Sequence, residues 1–303
     1  MRAYDLTDDR RHLENAKSIA DWMWSKGWDN NVCGGGPWWR QEPPLLLPVR
    51  DMKKIKLAIA NEPFFKLAAP LHNRIRGNKA YMDYAKTVWS WFRQSDLLKK
   101  ASPLVSDGLY DSEKNPDKCE GYWLFTYSQG VLLGALTELH RATGDRQMLV
   151  VAEQIANAAI NVNSPPDRTF VFTAGHPLAG VLRELCEQSA EGCVKCKSDK
   201  APCETIDIDP TDDDDIGMFK GVFVRNLREL YDHNRALGRS RFNWASLFKR
   251  QTASLEANAR SGWAEFGFRW TGPRGLASIG TANDSHYGMQ SIAVDAFNAA
   301  SGL

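Results

Sequence analysis

The sequence has almost no excess charge: 38 Lys and Arg stand against 37 Asp and Glu, a formal net charge of +1. Nucleic acids and anionic membrane surfaces recruit a basic face, so neither is an expected partner. No apolar run approaches the roughly 20 residues needed to cross a bilayer. Histidines number six, and His140, His233 and His286 are scattered, which suggests no metal site. The acidic run 212–215 lacks the Gly and terminal Glu of an EF-hand loop, so calcium is not expected. No G-x-G-x-x-G, P-loop, H-E-x-x-H or G-x-S-x-G element occurs, and no cofactor is expected. The amino terminus, MRAYDLTDD, has no apolar signal-peptide core.

Tryptophan, by contrast, is abundant, with 11 residues. Most tryptophans pack cores, but an excess favours proteins that stack flat apolar ligand faces such as those of sugar rings. Six cysteines form an even set. Four of them, Cys186, Cys193, Cys196 and Cys203, cluster as C-x6-C-x2-C-x6-C. Disulfides are the first expectation and imply an oxidising compartment. A zinc ion is the alternative, although structural zinc sites usually show two close pairs and here Cys193 and Cys196 make one; free thiols are the third.

An internal repeat organises the chain. Residues 6–20 read LTDDRRHLENAKSIA, residues 76–89 read RGNKAYMDYAKTVW, and residues 142–156 read ATGDRQMLVVAEQIA. In each, a turn residue and an Asp or Asn cap (Asp9, Asn78, Asp145) precede an amphipathic helix. Apolar or small residues follow in register: Leu13, Ala16 and Ile19; Met82, Ala85 and Val88; Leu149, Ala152 and Ile155. The caps lie 69 and 67 residues apart (from 9 to 78, and from 78 to 145), a spacing typical of helical-hairpin arrays. An apolar inner helix should precede each cap, near residues 56–76 and 123–143. Before Asp9 stand eight residues, so the first inner helix is expected to be cut short and the domain to begin upstream of Met1. Further helices are expected near 218–234, 244–259 and 287–300, with long loops over 186–217 and 262–285. The expected fold class is all-α: one α/α-hairpin domain over 1–303 with a cleft at the inner-helix ends.

The starts of the inner helices carry the residues that look chemical. Asn61 and Glu62 begin one, Tyr127, Ser128 and Gln129 the next, and Phe219 and Lys220 a third. The loops before them contribute Gly34, Gly35 and Gly36 with Trp38 and Trp39, and Asp107 in an Asp-Gly pair. Consecutive glycines let a backbone approach something closely, and paired tryptophans offer a stacking face.

These stretches, CGGGPWW, AIANEPFF, DGLYD, FTYSQGVLLGALTELHRATGD and FKGVFVRNL, resemble the landmarks of glycoside hydrolase family 76, the endo-α-1,6-mannanases, in family order over about residues 2–230. The resemblance implies an (α/α)6 toroid and retaining hydrolysis, or transfer, of α-1,6-linked mannose chains. It makes Gly34, Gly35, Trp38, Trp39, Asn61, Asp107, Tyr127, Gln129 and Lys220 substrate-binding candidates. Mannose-containing glycans are the expected partner, a monomer the expected state, and secretion or the cell surface the expected place of the parent protein. Such a reaction needs two carboxyls, one kept protonated. The family's adjacent aspartate pair precedes a segment matched here by Arg2-Ala3-Tyr4, so no catalytic residue is expected within the chain and activity should be impaired. Asp8 and Asp9 are adjacent but fall at a capping turn. Departures from the family pattern are Ser128 in place of Asn, Ile55-Lys56-Leu57 in place of Tyr-Lys-Asn, the insert 43–48, and Pro63 and Pro70 within an inner helix. Pro63 fits if Asn61 caps that helix; Pro70 costs roughly 3 kcal/mol. The alternatives are a non-catalytic glycan-binding remnant and another α/α-toroid carbohydrate enzyme.

Overall fold

Each capping turn foreseen from the repeat is built by the same hydrogen bonds. In the computed structural model, which describes residues 1–39, 56–75, 77–98, 102–112, 115–185, 193–195, 204–206, 214–239, 242–260, 270 and 285–303, Asp9 Oδ1 accepts from Arg11 N at 3.0 Å. Asn78 Oδ1 accepts from Ala80 N at 2.9 Å and Asp145 Oδ1 from Gln147 N at 2.9 Å. The residue before each cap turns left-handed: Asp8 at φ 55°, Gly77 at φ 82° and Gly144 at φ 72°. In the first and third turns the match extends further. Thr7 Oγ1 donates to Ala3 O (2.7 Å) and accepts from Asp9 N (3.3 Å); Thr143 Oγ1 donates to Leu139 O (2.8 Å) and accepts from Asp145 N (3.1 Å). These turns join α1 (Arg2–Thr7) to α2 (Arg10–Trp22), α3 (Ala58–Arg74) to α4 (Ala80–Gln94), and α5 (Thr126–Thr143) to α6 (Arg146–Ala159).

The outer helices bury one face. On α6 Leu149, Ala152, Ile155 and Ala156 are wholly buried, and on α4 Ala85, Val88 and Phe92 are. The first helix departs from expectation. Leu13, Ala16 and Ala20 are buried, whereas Ile19 is 54% exposed. Steps of three residues slip backward by about 60° each, so Ile19 has rotated off the face that i, i+3, i+7 keeps. On α4 Met82 is half-buried and Tyr81 occupies the core in its place.

The inner helix α3 is apolar on most sides, with Phe64, Phe65, Ala68, Ala69 and Leu71 at 0% exposure. It begins at Ala58 and runs through both Pro63 and Pro70, so Asn61 is not its cap. Asn61 sits in the first turns and its Nδ2 donates back to Leu57 O at 2.6 Å. Each proline costs helix stability, but a buried Phe or Leu contributes about 1.5–3 kcal/mol, and this segment supplies several.

Two compact units divide the chain: residues 1–123 with 134–152, and residues 124–133 with 153–303. In the first, β1 (Lys56–Leu57), β2 (Gly108–Ser112) and β3 (Asn115–Tyr122) form an antiparallel sheet in that order, with Leu57 opposite Gly108 and Leu109 opposite Gly121. This sheet is a small addition to an all-helical plan. In the second, α7 (Asp214–Ala236), α8 (Trp244–Ser254) and α9 (Ser285–Ala300) pack together, with a short pair β4 (Cys193–Lys195) and β5 (Glu204–Ile206). A Cβ on Gly130 of α5 would lie 2.5 Å from Phe223 Cα of α7, so the glycine of TYSQG is required by backbone-to-helix contact. Gln251 of α8 holds the 169–185 segment, donating to Gly180 O (2.9 Å) and accepting from Leu182 N (2.8 Å). Among the described residues no helix is long and apolar enough to cross a membrane.

Candidate functional site

The glycine loop of the first unit is held from three sides. A disulfide joins Cys33 to Cys119 on β3. The Trp91 indole Nε1 donates to Cys33 O at 2.8 Å. The fully buried Lys56 ammonium donates to Asp29 Oδ2 (3.0 Å) and Gly36 O (2.5 Å), and lies 3.8 Å from the centre of the Trp38 ring. Burial pushes the Lys56 pKa down, while Asp29 pulls it back. Against the upward push of its own burial, Lys56 and the Asn31 and Val32 amides hold Asp29 below the usual carboxylate range.

The three glycines take positive φ values of 69° (Gly34), 146° (Gly35) and 91° (Gly36). A Cβ on Gly35 would come within 2.8 Å of Trp91 Cδ1. On Gly36 it would meet Trp91 Cη2 at 2.6 Å and Asn61 Oδ1 at 2.8 Å. The close approach foreseen for this loop is therefore made to Trp91 of the protein itself. Gly34 is exposed with nothing within 4 Å, so its conformation alone calls for glycine. Trp38 and Trp39 are half-buried, and one face of Trp38 is taken by Lys56.

Beside this loop, the start of α3 and the segment leading into β2 bring polar groups together. Ala58 N donates to Asp107 O at 2.6 Å, and Asp107 N to Trp123 O at 2.9 Å. Asn61 and Glu62 are wholly buried and Asp107 is 5% exposed. Both carboxyl oxygens of Glu62, and Asn61 Oδ1, have no hydrogen-bond partner among the described residues. Burial, with the nearby Asp107 charge added, holds the Glu62 pKa well above the usual carboxyl range. The sequence places Glu62 beside Asn61 at a helix start, but its complete burial without hydrogen bonds from the described residues is visible only in the structure.

In the second unit, the start of α5 carries an aromatic cluster. Tyr127 and Phe219 ring centres lie 4.4 Å apart, and Phe125 and Phe219 5.2 Å. Gln129 is wholly buried and its Nε2 donates to Phe125 O at 3.0 Å. Lys220 is wholly buried with its ammonium 5.9 Å from the Trp270 ring centre. Glu184 accepts from the backbone N–H and the hydroxyl of Thr126, fixing the helix start. Thus Gly34, Gly35, Trp38, Trp39, Asn61 and Asp107 share the first unit, and Tyr127, Gln129 and Lys220 the second.

Asp9 caps α2 and pairs with Arg11, and Asp8 forms the left-handed turn residue before it. Among the described residues no group of three or more His, Cys, Asp or Glu is placed to hold a metal ion. Of the clustered cysteines, Cys186, Cys196 and Cys203 lie outside the described residues, as do the insert 43–48, Ile55 and most of both long loops.

The profile of glycosyl hydrolase family 76 matches residues 1–300. The chain belongs to this family. Among family 76 structures, an α-1,6-mannanase from Salegentibacter sp., inactivated at two adjacent aspartates and in complex with α-1,6-mannotetrose, matches with a TM-score of 0.70 at 22% identity. That match covers 99% of this chain and 71% of the other. A structure of Dfg5 from Chaetomium thermophilum with glucosamine matches with a TM-score of 0.65 at 18% identity, over 94% of this chain and 59% of the other. The fold is accordingly the α/α-hairpin fold of family 76. A putative mannan endo-1,6-α-mannosidase of Schizosaccharomyces pombe is 24% identical over 292 residues, 94% of this chain and 55% of its own length. A mannan endo-1,6-α-mannosidase of Saccharomyces cerevisiae is 29% identical over 133 residues, 44% of this chain and 28% of its own length. The chain thus spans little more than half of the longest-matching of these curated relatives.

Proposed function

We propose that this family 76 chain acts on α-1,6-linked mannan, with Trp38, Trp39, Asn61 and Asp107 of the first unit and Tyr127, Gln129 and Lys220 of the second contacting mannose units. The observation that carries this is the family match over residues 1–300, together with relatives named as mannan endo-1,6-α-mannosidases. Half-buried tryptophans and buried amides suit a ligand that has flat apolar faces and hydroxyl edges. The Cys33–Cys119 disulfide supports a secreted or cell-surface setting for the parent protein, where polymeric mannan is met. The test is a reducing-sugar assay on α-1,6-mannan beside calorimetric titration with α-1,6-mannotetraose. Turnover, or micromolar to millimolar binding, is expected; absence of both refutes the proposal.

A second reading, a glycan-binding member without turnover, is favoured by the roles of Asp8 and Asp9. These adjacent aspartates form a capping turn, in which Asp9 Oδ1 accepts from Arg11 N. Binding without release of reducing ends would select it.

A further inference from the structure

The Lys56 side chain is at 0% exposure. Its ammonium donates to Asp29 Oδ2 at 3.0 Å, to Gly36 O at 2.5 Å and to Asp29 O at 3.4 Å. The remaining neighbour is the Trp38 ring, whose centre lies 3.8 Å away. An ammonium taken out of water gives up strong hydration, which here the close oxygens and the aromatic face replace. Well-packed apolar residues often stand in for buried ion pairs with no loss of stability, so stability alone does not account for a charge at this place.

Through Lys56 the loop that carries Trp38 is tied to the sheet. β1 and β3 are the outer strands; Lys56 holds the loop from β1 and Cys119 holds it from β3. Within the loop, Asp29 N donates to Gly36 O at 3.2 Å and Trp38 N to Gly27 O at 3.2 Å. The Asp29 carboxylate is fixed in turn by the amides of Asn31 (3.2 Å) and Val32 (3.1 Å). An ammonium held by fixed oxygens is itself fixed, and so is the plane of a ring lying against it. The face of Trp38 toward Lys56 is closed by a wholly buried group, so the exposure that this half-buried ring keeps belongs to its opposite face and its rim.

We propose that Lys56 is a positioning residue for Trp38: its ammonium seats one face of the indole and leaves the other as the platform on which a mannose ring stacks. This rests on the mannan-binding reading, in which Trp38 touches the glycan; Lys56 itself acts from behind the ring. The platform is ordered before the sugar arrives, so binding does not have to order it. Without the ammonium the ring samples other orientations, and affinity falls with the fraction that is correctly turned.

The test measures α-1,6-mannotriose affinity by calorimetry in the wild type, in Trp38→Leu, in Lys56→Met combined with Asp29→Asn, and in the triple variant. Asp29 is changed with Lys56 so that no carboxylate is left stranded. Trp38→Leu should weaken binding. The charge-free pair should weaken it several-fold, and by no more than about thirtyfold, the most that a desolvated cation–π contact holds. The triple variant should bind as Trp38→Leu does, because a residue that acts through Trp38 has no effect once Trp38 is gone. Wild-type affinity in the charge-free pair or in Trp38→Leu, or losses that multiply in the triple variant, overturns the proposal. Lys56→Gln, which keeps a donor but no cation, should lose affinity as the pair does; alone and with Trp38→Leu it decides the matter if the pair does not fold. If the wild type does not bind mannotriose, the mannan reading fails, and the positioning is read by fluorine NMR of protein labelled with fluorotryptophan. The Trp38 resonance, identified by its loss in Trp38→Leu, should shift or broaden in Lys56→Gln while that of Trp244 stays in place. An unmoved Trp38 resonance overturns the positioning role.

Discussion

Replacing Cys33 and Cys119 together by alanine should be the most destabilising simple change in the first unit. The bridge closes a segment with a sequence separation of 86. On the chain-entropy account, a loop of that length stabilises the native state by about 4.6 kcal/mol at 25 °C; removing a native disulfide commonly costs about 2–5 kcal/mol. The bridge also fixes the one loop whose glycines pack on Trp91 and whose Gly36 carbonyl receives Lys56. Part of the loss should therefore appear locally, as greater solvent access to Trp91. Urea unfolding followed by tryptophan fluorescence, with and without a reductant, measures both effects. The double variant should unfold at clearly lower urea than the wild type, and reductant should narrow the gap between the two midpoints. A loss below about 1 kcal/mol would show that Lys56 and Trp91 hold the loop without the bridge, and would refute the reasoning.

Gly130→Ala should cost about 1–3 kcal/mol or more by thermal melting, since the added methyl meets the backbone of α7 rather than a yielding side chain. Asp8→Gly should raise stability by up to about 1 kcal/mol, because Asp8 occupies the left-handed position that glycine fills in the other two turns; a loss would mean that the Asp8 side chain has a role in that turn. Ile19→Glu should change stability by no more than about 0.5 kcal/mol, as expected for an exposed position; a cost above about 2 kcal/mol would place Ile19 in the core. Arg74 binds both oxygens of Asp5 at 2.6 Å and holds its carboxyl below the usual range. A depressed folded-state pKa contributes stability that is present above the unfolded value and lost as pH falls through the folded one, so urea midpoints should be higher for the wild type than for Asp5→Asn at neutral pH, and the two should converge in acid. With Asp5 41% exposed the effect should stay within about 1 kcal/mol at neutral pH.

The hairpin plan was legible because capping chemistry is local. An Asp or Asn oxygen reaches an N–H two residues on, and Thr reaches a carbonyl four residues back, whatever packs nearby. The inner helices near 56–76 and 123–143 were legible for a related reason: long apolar stretches between such turns have few other structures open to them. Where the local rule was stretched it failed. Ile19 followed the three-residue spacing yet left the buried face, and α3 began before Asn61 because burial of its aromatic residues outweighs what Pro63 costs.

Tertiary structure alone decided the rest. The sheet of β1, β2 and β3 joins residues some fifty positions apart, with Lys56 opposite Leu109, and no periodicity in two-residue β1 announces it. Which of six cysteines pairs with Cys33 depended on β3 arriving beside the glycine loop. That the loop's glycines receive Trp91, and that Glu62 is wholly buried with no hydrogen-bond partner among the described residues, depended equally on distant elements. Turn chemistry is set by atoms within four residues along the chain, whereas burial and charge are set by whatever the fold brings to the other side.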